Sequence, residues 1–207
     1  MDNYVITIAR ESGSGGLAIC KKLSKILGVP YYDRDLLQHA SDVSGINVRL
    51  FGAADETIGV KELLSAASKV YNGEILPPDD DDYVSTKNLF AFQAKVIKEL
   101  PDETSCIILG RAANYLLDGR PNVLRLFLHA PFEWRLKEVA SYNLTLTPNE
   151  ITRRIKKEDK RRGDYYHYYT GENWRDASGY DVSIDTSVLG IDGTAQKIAE
   201  ILPFFKG

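Results

Sequence analysis

Apolar residues in this chain fall into short β-branched runs that alternate with stretches where apolar positions recur every three or four residues. The first run, "YVITIA" (Tyr4–Ala9), is long enough for a buried strand. A glycine-rich loop follows. Then Leu17, Cys20, Leu23, Ile26 and Leu27 take a helical spacing that Gly28 stops. "VPYYDRDLL" (Val29–Leu37) reads as a short strand turning into a helix. Asp35–Leu100 has a different texture. Helical patterns such as "VKELLSAASKVY" (60–71) and "TKNLFAFQAKVIKEL" (86–100) flank the acidic "PPDDDD" (Pro77–Asp82). This stretch is expected to be a mostly helical insertion with an exposed acidic loop.

The strand–helix alternation resumes at Ser105–Arg111, an apolar strand ending in Gly-Arg, and the helix "AANYLLDG" follows it. Asn122–Ala130 is the next strand, with a helix behind it opened by Pro131. "TPNE" (Thr147–Glu150) is a capping box: Thr147 caps, Pro148 takes the first helical position and Glu150 reaches back. It introduces a basic helix, "ITRRIKKEDKRRG", and then the aromatic "DYYHYYTGENW" (Asp164–Trp174). Tyr180–Ser187 is the last strand and "TAQKIAEILPFF" the closing helix. Strands that alternate with helices predict an α/β fold of three layers, a parallel sheet covered by helices on both faces.

Composition narrows the function. At 207 residues the chain can build one sizeable core. A net charge of −3 gives no support for a broad nucleic-acid surface. No apolar stretch approaches the roughly 18 residues of a membrane span, and the N-terminus enters a strand without a basic leader. Cys20 and Cys106 stand far apart with no CxxC partner, as expected of reduced thiols in a cytoplasmic protein. No His/Cys/Asp cluster has metal-ligand spacing, and no GxSxG occurs.

The chemistry points to phosphate. Glycines between a strand and a helix let backbone N–H groups at the helix N-terminus approach an anion. Here Ser12, Gly13, Ser14, Gly15 and Gly16 form that loop. Two patterns compete for it. The GxxxxGK[ST] loop would need Gly at 10, Lys at 16 and a hydroxyl at 17, where this chain has Arg10, Gly16 and Leu17. The dinucleotide pattern GxGxxG/A is met by Gly13, Gly15 and Ala18, with Asp33 about 20 residues on. Asp33, Arg34 and Asp35 fall at the end of a second strand, and Arg111 just past a third. In open α/β sheets ligands bind at those strand ends, and a guanidinium offers a planar fork for phosphate. Asp159 and Arg162 share a face of the basic helix. For the tyrosines, packing or an oligomer contact is favoured over base stacking, and the lone His167 is assigned no catalysis.

Taken in order, "ITIARESGSGG", "GVPYYDRDLL", "IILGRAANYLL", "LFLHAPFEWRL", "EDKRRGDYYHYYTGENW" and "YDVSIDTSVLGI" resemble the cytidylate kinase-like family, relatives of the nucleoside monophosphate kinases. The resemblance runs nearly the whole length and outweighs the dinucleotide pattern. It implies a P-loop-type core (1–34 and 101–207), a monophosphate-binding insertion (35–100) and a lid (153–174). It also implies phosphoryl transfer from ATP, with Mg²⁺, to a nucleoside monophosphate, CMP or dCMP by analogy. Nucleotides would be the partners, with neither nucleic acid nor membrane, and the exposed helices leave room for a homodimer. By the same resemblance, residues 12–16 would hold ATP, Arg111 the acceptor with Asp33 and Arg34 beside it, and Asp159 and Arg162 would act from the lid. Gly16 stands in place of the loop Lys, Leu17 and Ala18 in place of its hydroxyl pair, and Ala112 in place of the Asp that follows Gly-Arg in cytidylate kinase. Arg10, Arg154, Arg161 and Arg162 are the cations available to substitute for the Lys, Arg10 foremost. The alternative is a nucleotide-binding or sensor protein with degraded catalysis. A dinucleotide-dependent oxidoreductase ranks third and would need a substrate domain.

Overall fold

The computed structural model describes residues 3–56 and 70–205. Five parallel strands form one sheet: β1 (Val5–Arg10), β2 (Tyr31–Tyr32), β3 (Cys106–Leu109), β4 (Val123–His129) and β5 (Val182–Asp185). Their order is β2-β3-β1-β4-β5. β1 is central, with Ile6 opposite Ile107 on one side and Leu124 on the other. That order separates the two readings of the glycine loop. A dinucleotide-binding sheet runs 3-2-1-4-5-6, with β2 beside β1. Here β3 takes that place and β2 is at the edge.

The period-2 alternation of each strand sends its side chains to opposite faces, and two cores result. Ile6, Ile8, Ile107, Leu109, Leu124, Leu126 and Leu128 pack on one face, against Ile19, Cys20 and Leu23 of helix α1 (Gly16–Leu27) and Ala195 and Ile198 of α8 (Thr186–Ile201). Val5, Cys106, Ile108, Val123 and Phe127 pack on the other. That face is covered by α2 (Asp35–Ser44), α3 (Val48–Glu56) and α4 (Thr86–Glu103), with a short helix α5 (Ala113–Leu116) beside them. The expected three layers are therefore present. Both cysteines are free and buried. Among the described residues no helix is long and apolar enough to cross a membrane.

Helices α2, α3 and α4 fall where the helical insertion is expected, and Pro77–Asp82 lies exposed between α3 and α4. Most of the pattern expected over 60–71 lies outside the described residues. α6 (Phe132–Tyr142) follows β4, and α7 (Pro148–Thr170) follows α6. The capping box forms as the sequence predicts: Glu150 N–H donates to Thr147 Oγ1, and Glu150 accepts from Thr147 N–H.

The basic helix and most of the aromatic stretch behind it form one helix of 23 residues, unbroken at Gly163. Gly163 lets the helix pass the Trp174 indole, whose Nε1 would lie 2.9 Å from a Cβ there. Tyr165, Tyr166, Tyr168 and Tyr169 are buried, with Tyr169 stacked on Phe90 of α4. The tyrosines therefore serve packing, and this half of α7 belongs to the core.

Candidate phosphate-transfer site

A cavity of about 760 Å³ opens at the carboxyl ends of β1, β2 and β3. It is bordered by the glycine loop, the turn after β3 and the mid-section of α7. Its walls carry seven basic and four acidic side chains, in a chain whose net charge is −3. Positive charge is therefore concentrated here, which suits an anionic ligand.

The loop joins β1 to α1 through two left-handed glycines, Gly13 at φ 81° and Gly15 at φ 76°. Both also admit close neighbours. A Cβ on Gly13 would lie 2.9 Å from the Arg135 carbonyl oxygen of α6, and one on Gly15 2.9 Å from Ile191 Cγ1 of α8. The first intrahelical bond runs from Ile19 N–H to the Gly15 carbonyl. The amides of Gly16, Leu17 and Ala18 precede it, so the helix end offers them, with its positive dipole, to the cavity. Ser14 does not face the cavity. It is fully buried, and both its N–H (3.2 Å) and its hydroxyl (2.9 Å) donate to the Glu11 carbonyl. It holds the turn in shape.

Arg10 ends β1 and crosses the cavity floor. Its Nη2 lies 3.7 Å from Asp33 Oδ1 at the end of β2. Arg162 of α7 donates from Nη1 to the Arg10 carbonyl at 2.9 Å. Burial, with the nearby charges of Arg162 and Arg111, lowers the Arg10 guanidinium to about 9 while Asp33 acts the other way. Arg10 thus stays charged at neutral pH. Burial lowers Arg162 as well, against the pull of Glu158 and Asp159.

Arg111 sits in the turn after β3, where Gly110, Arg111 and Ala112 are all left-handed, at φ 83°, 62° and 52°. Two of these are not glycine, and such strain is characteristic of ligand sites. Tyr165 stands next to Arg111, its phenol pushed up to about 12 by burial while Arg111 acts against that. Arg34 and Asp33 complete the same wall.

Asp159 is placed on the other side of the loop. It is buried and forms part of a neighbouring cavity of about 510 Å³. Its carboxylate accepts from Ser12 N–H at 2.7 Å, Arg135 Nη1 at 2.6 Å and Arg175 Nη2 at 3.3 Å. Glu11 lies on the same two arginines, 3.5 Å from Arg135 Nε and 2.8 Å from Arg175 Nη2. The acidic and basic groups alternate and bind the loop to α6 and α7. Sequence reasoning did not single out Glu11, Arg135 or Arg175. The signal for Arg135 was its position: it falls between Phe132 and Val139 on the face of α6 where an apolar residue belongs.

Position 17 is Leu where a hydroxyl would serve, and no three metal-ligating side chains gather among the described residues.

A sequence profile described as the cytidylate kinase-like family matches residues 5–188. A cytidylate kinase from Methanosarcina acetivorans is 30% identical over 81 residues, 39% of this chain and 44% of that protein; the chain thus matches less than half the length of that curated relative. The crystal structure of an uncharacterized protein from Eubacterium ventriosum superposes with a TM-score of 0.70 at 22% identity, covering 97% of this chain and 99% of that one. A gluconokinase from Sinorhizobium meliloti superposes at 0.47 and 14% identity, covering 98% of this chain and 97% of that one.

Proposed function

The chain belongs to the cytidylate kinase-like family, and on that premise we propose that it transfers a phosphoryl group from ATP to a nucleoside monophosphate, with CMP and dCMP the first acceptors to try. One observation carries the reading. Arg10, Arg111 and Arg162 line a cavity at the strand ends, whose walls carry seven basic side chains against four acidic ones, Asp33 and Glu158 among the latter. An excess of positive charge around a concave site favours an anion. Two phosphate-bearing ligands meeting there supply that anion.

In this reading the amides of Gly15, Gly16, Leu17 and Ala18 hold the donor's phosphates. Arg111 and Arg34 hold the acceptor's phosphate from the far wall. Arg10 and Arg162 lie between the two walls, where charge develops on the group in flight. Such transfer needs positioning and charge stabilisation, with no covalent intermediate. A preorganised donor at this point contributes on the order of 10²–10³ in rate. Asp159 touches neither ligand. It is a positioning residue that fixes the loop through Ser12 N–H.

The test is turnover. ATP, magnesium and a panel of nucleoside monophosphates are mixed with the protein, and ADP is followed by a coupled assay. ADP formation that depends on one acceptor is the expected result. A second reading, nucleotide binding without transfer, is favoured by Gly16 and Leu17 at the Lys and hydroxyl positions. It prevails if ATP binds and no acceptor raises ADP above background.

A further inference from the structure

We infer that Arg10 and Gly16 are an exchanged pair: the cation that a phosphate loop carries on the first turn of its helix has moved here to the end of the preceding strand, and Gly16 is glycine to let it through. The inference rests on reading 12–16 as a phosphate loop.

Three observations carry it. First, the would-be Cβ of Gly16 lies 2.8 Å from Arg10 Cγ, 3.0 Å from its Cβ and 3.8 Å from its Cδ. The Arg10 stem thus fills the volume in which a side chain at position 16 would begin. Second, Gly16 is the first residue of α1 and is not among the glycines with positive φ. Helical backbone favours Ala over Gly by roughly 1 kcal/mol. Backbone shape therefore does not ask for glycine there, and space does. Third, the far end of Arg10 is accommodated by another glycine. A Cβ on Gly110, across the floor at the end of β3, would collide with Arg10 Nη1. By contrast Gly28, Gly45 and Gly52 would meet nothing within 4 Å. The guanidinium thus runs between two glycines to Asp33, with Arg162 and Arg111 the other charges that bear on it. A Lys at position 16 and an Arg at position 10 on its present course cannot both be seated unless one shifts. Each substitution relative to the usual loop explains the other.

The test is a double-mutant cycle read by inorganic tripolyphosphate binding in calorimetry, which needs neither base nor acceptor. The four proteins are the wild type, Arg10→Ala, Gly16→Ala and the double variant, each checked by thermal melting. Each single change is expected to weaken tripolyphosphate by about tenfold or more, the scale of one charge-assisted hydrogen bond. Gly16→Ala acts only by displacing Arg10, so the double variant should bind no more weakly than Arg10→Ala. Gly16→Ala binding as tightly as wild type overturns the inference. So do losses that multiply in the double variant, because the new methyl would then block phosphate directly. A wild type that does not bind tripolyphosphate overturns it too. If Gly16→Ala fails to fold, the double change Arg10→Gly/Gly16→Lys decides. It moves the cation back and should bind at least about tenfold more tightly than Arg10→Ala; equal weakness in a folded variant overturns the exchange. Failure of the kinase reading looks different: tripolyphosphate binds, the cycle closes as described, and no acceptor gives ADP.

Discussion

Asp159→Asn tests whether the loop is held from behind. The carboxylate is 9% exposed and its partner Arg135 8% exposed, so the pair is shielded from water. Asn can accept one of the two strong bonds, from Ser12 N–H or from Arg135 Nη1, and must then point its NH₂ toward the other donor. Breaking a buried pair by removing one charge costs about 3–5 kcal/mol. Glu11, 3.5 Å from Arg135 Nε, still offers that arginine a carboxylate, which places the loss at the lower end, about 3 kcal/mol. For a chain of this size each kcal/mol moves the melting temperature by about 2–4 °C, so a drop of about 6–12 °C is expected. The control is Lys197→Ala. Its pair with Glu200 is 53% and 48% exposed, and such a surface pair contributes about 0–1 kcal/mol. Differential scanning calorimetry measures both, and tripolyphosphate titration asks whether the freed Ser12 amide loosens the loop. An Asp159→Asn protein that melts as close to wild type as the control does, with unchanged affinity, refutes the idea that Asp159 fastens loop to helix.

Three further outcomes follow from the same geometry. Ala112→Gly removes a left-handed alanine at φ 52°. Relief of about 1–2 kcal/mol of backbone strain outweighs the roughly 0.8 kcal/mol of one buried methyl, so melting should rise by a few degrees, and a fall of several degrees contradicts it. Burial pushes Cys20 and Cys106 up to about 12; neither should react with a thiol reagent at pH 8 until the protein unfolds, and rapid labelling of native protein would disprove their place in the core. Tyr165 and Tyr166 are raised from 10 to about 12 by burial. Their protonated forms are favoured in the fold, so this stability is complete below pH 10 and is lost as pH rises through 12, by about 1.4 kcal/mol per pH unit for each tyrosine. Denaturant titrations at pH 9, 10 and 11 should show the decline, and a flat profile would count against it.

The sheet was legible because its signal is local. The run from Val5 to Ile8 is apolar at every position but Thr7, and only a strand covered on both faces buries such a run. The capping box at Thr147 was legible for the same reason, since both partners lie within four residues. What could not be read was long-range. Whether α7 stops at Gly163 depends on the chain turning back at Gly171 to bring Trp174 against it and on Phe90, far away in sequence, receiving Tyr169. The basic run Arg153–Arg162 reads from sequence as a basic helix and, by the resemblance, as part of a lid. Yet Ile151 and Ile155 anchor its start on Val139, and the tyrosines anchor its end, so Arg153, Lys156 and Lys157 face solvent while Asp159 and Arg162 are turned inward.

The glycine loop shows why spacing alone left two readings standing. A glycine in such a loop can make room for a ligand, for a helix or for another side chain, and the letter is the same in each case. Here all three glycines make room for protein. Gly13 yields to α6, Gly15 to Ile191, and Gly16 to Arg10. The GxGxxG/A match used Gly13 and Gly15, whose close neighbours are both protein. The GxxxxGK[ST] match failed at positions 10, 16 and 17, and the Arg10 side chain joins the first two. The mismatches at 10 and 16 therefore count as one event, and Leu17 stands as a separate one. Strand order then decides between the readings, because β3 beside β1 brings Gly110 and Arg111 to the same floor as Arg10. A loop whose cation arrives from the strand needs that neighbour to be glycine, and the chain provides it.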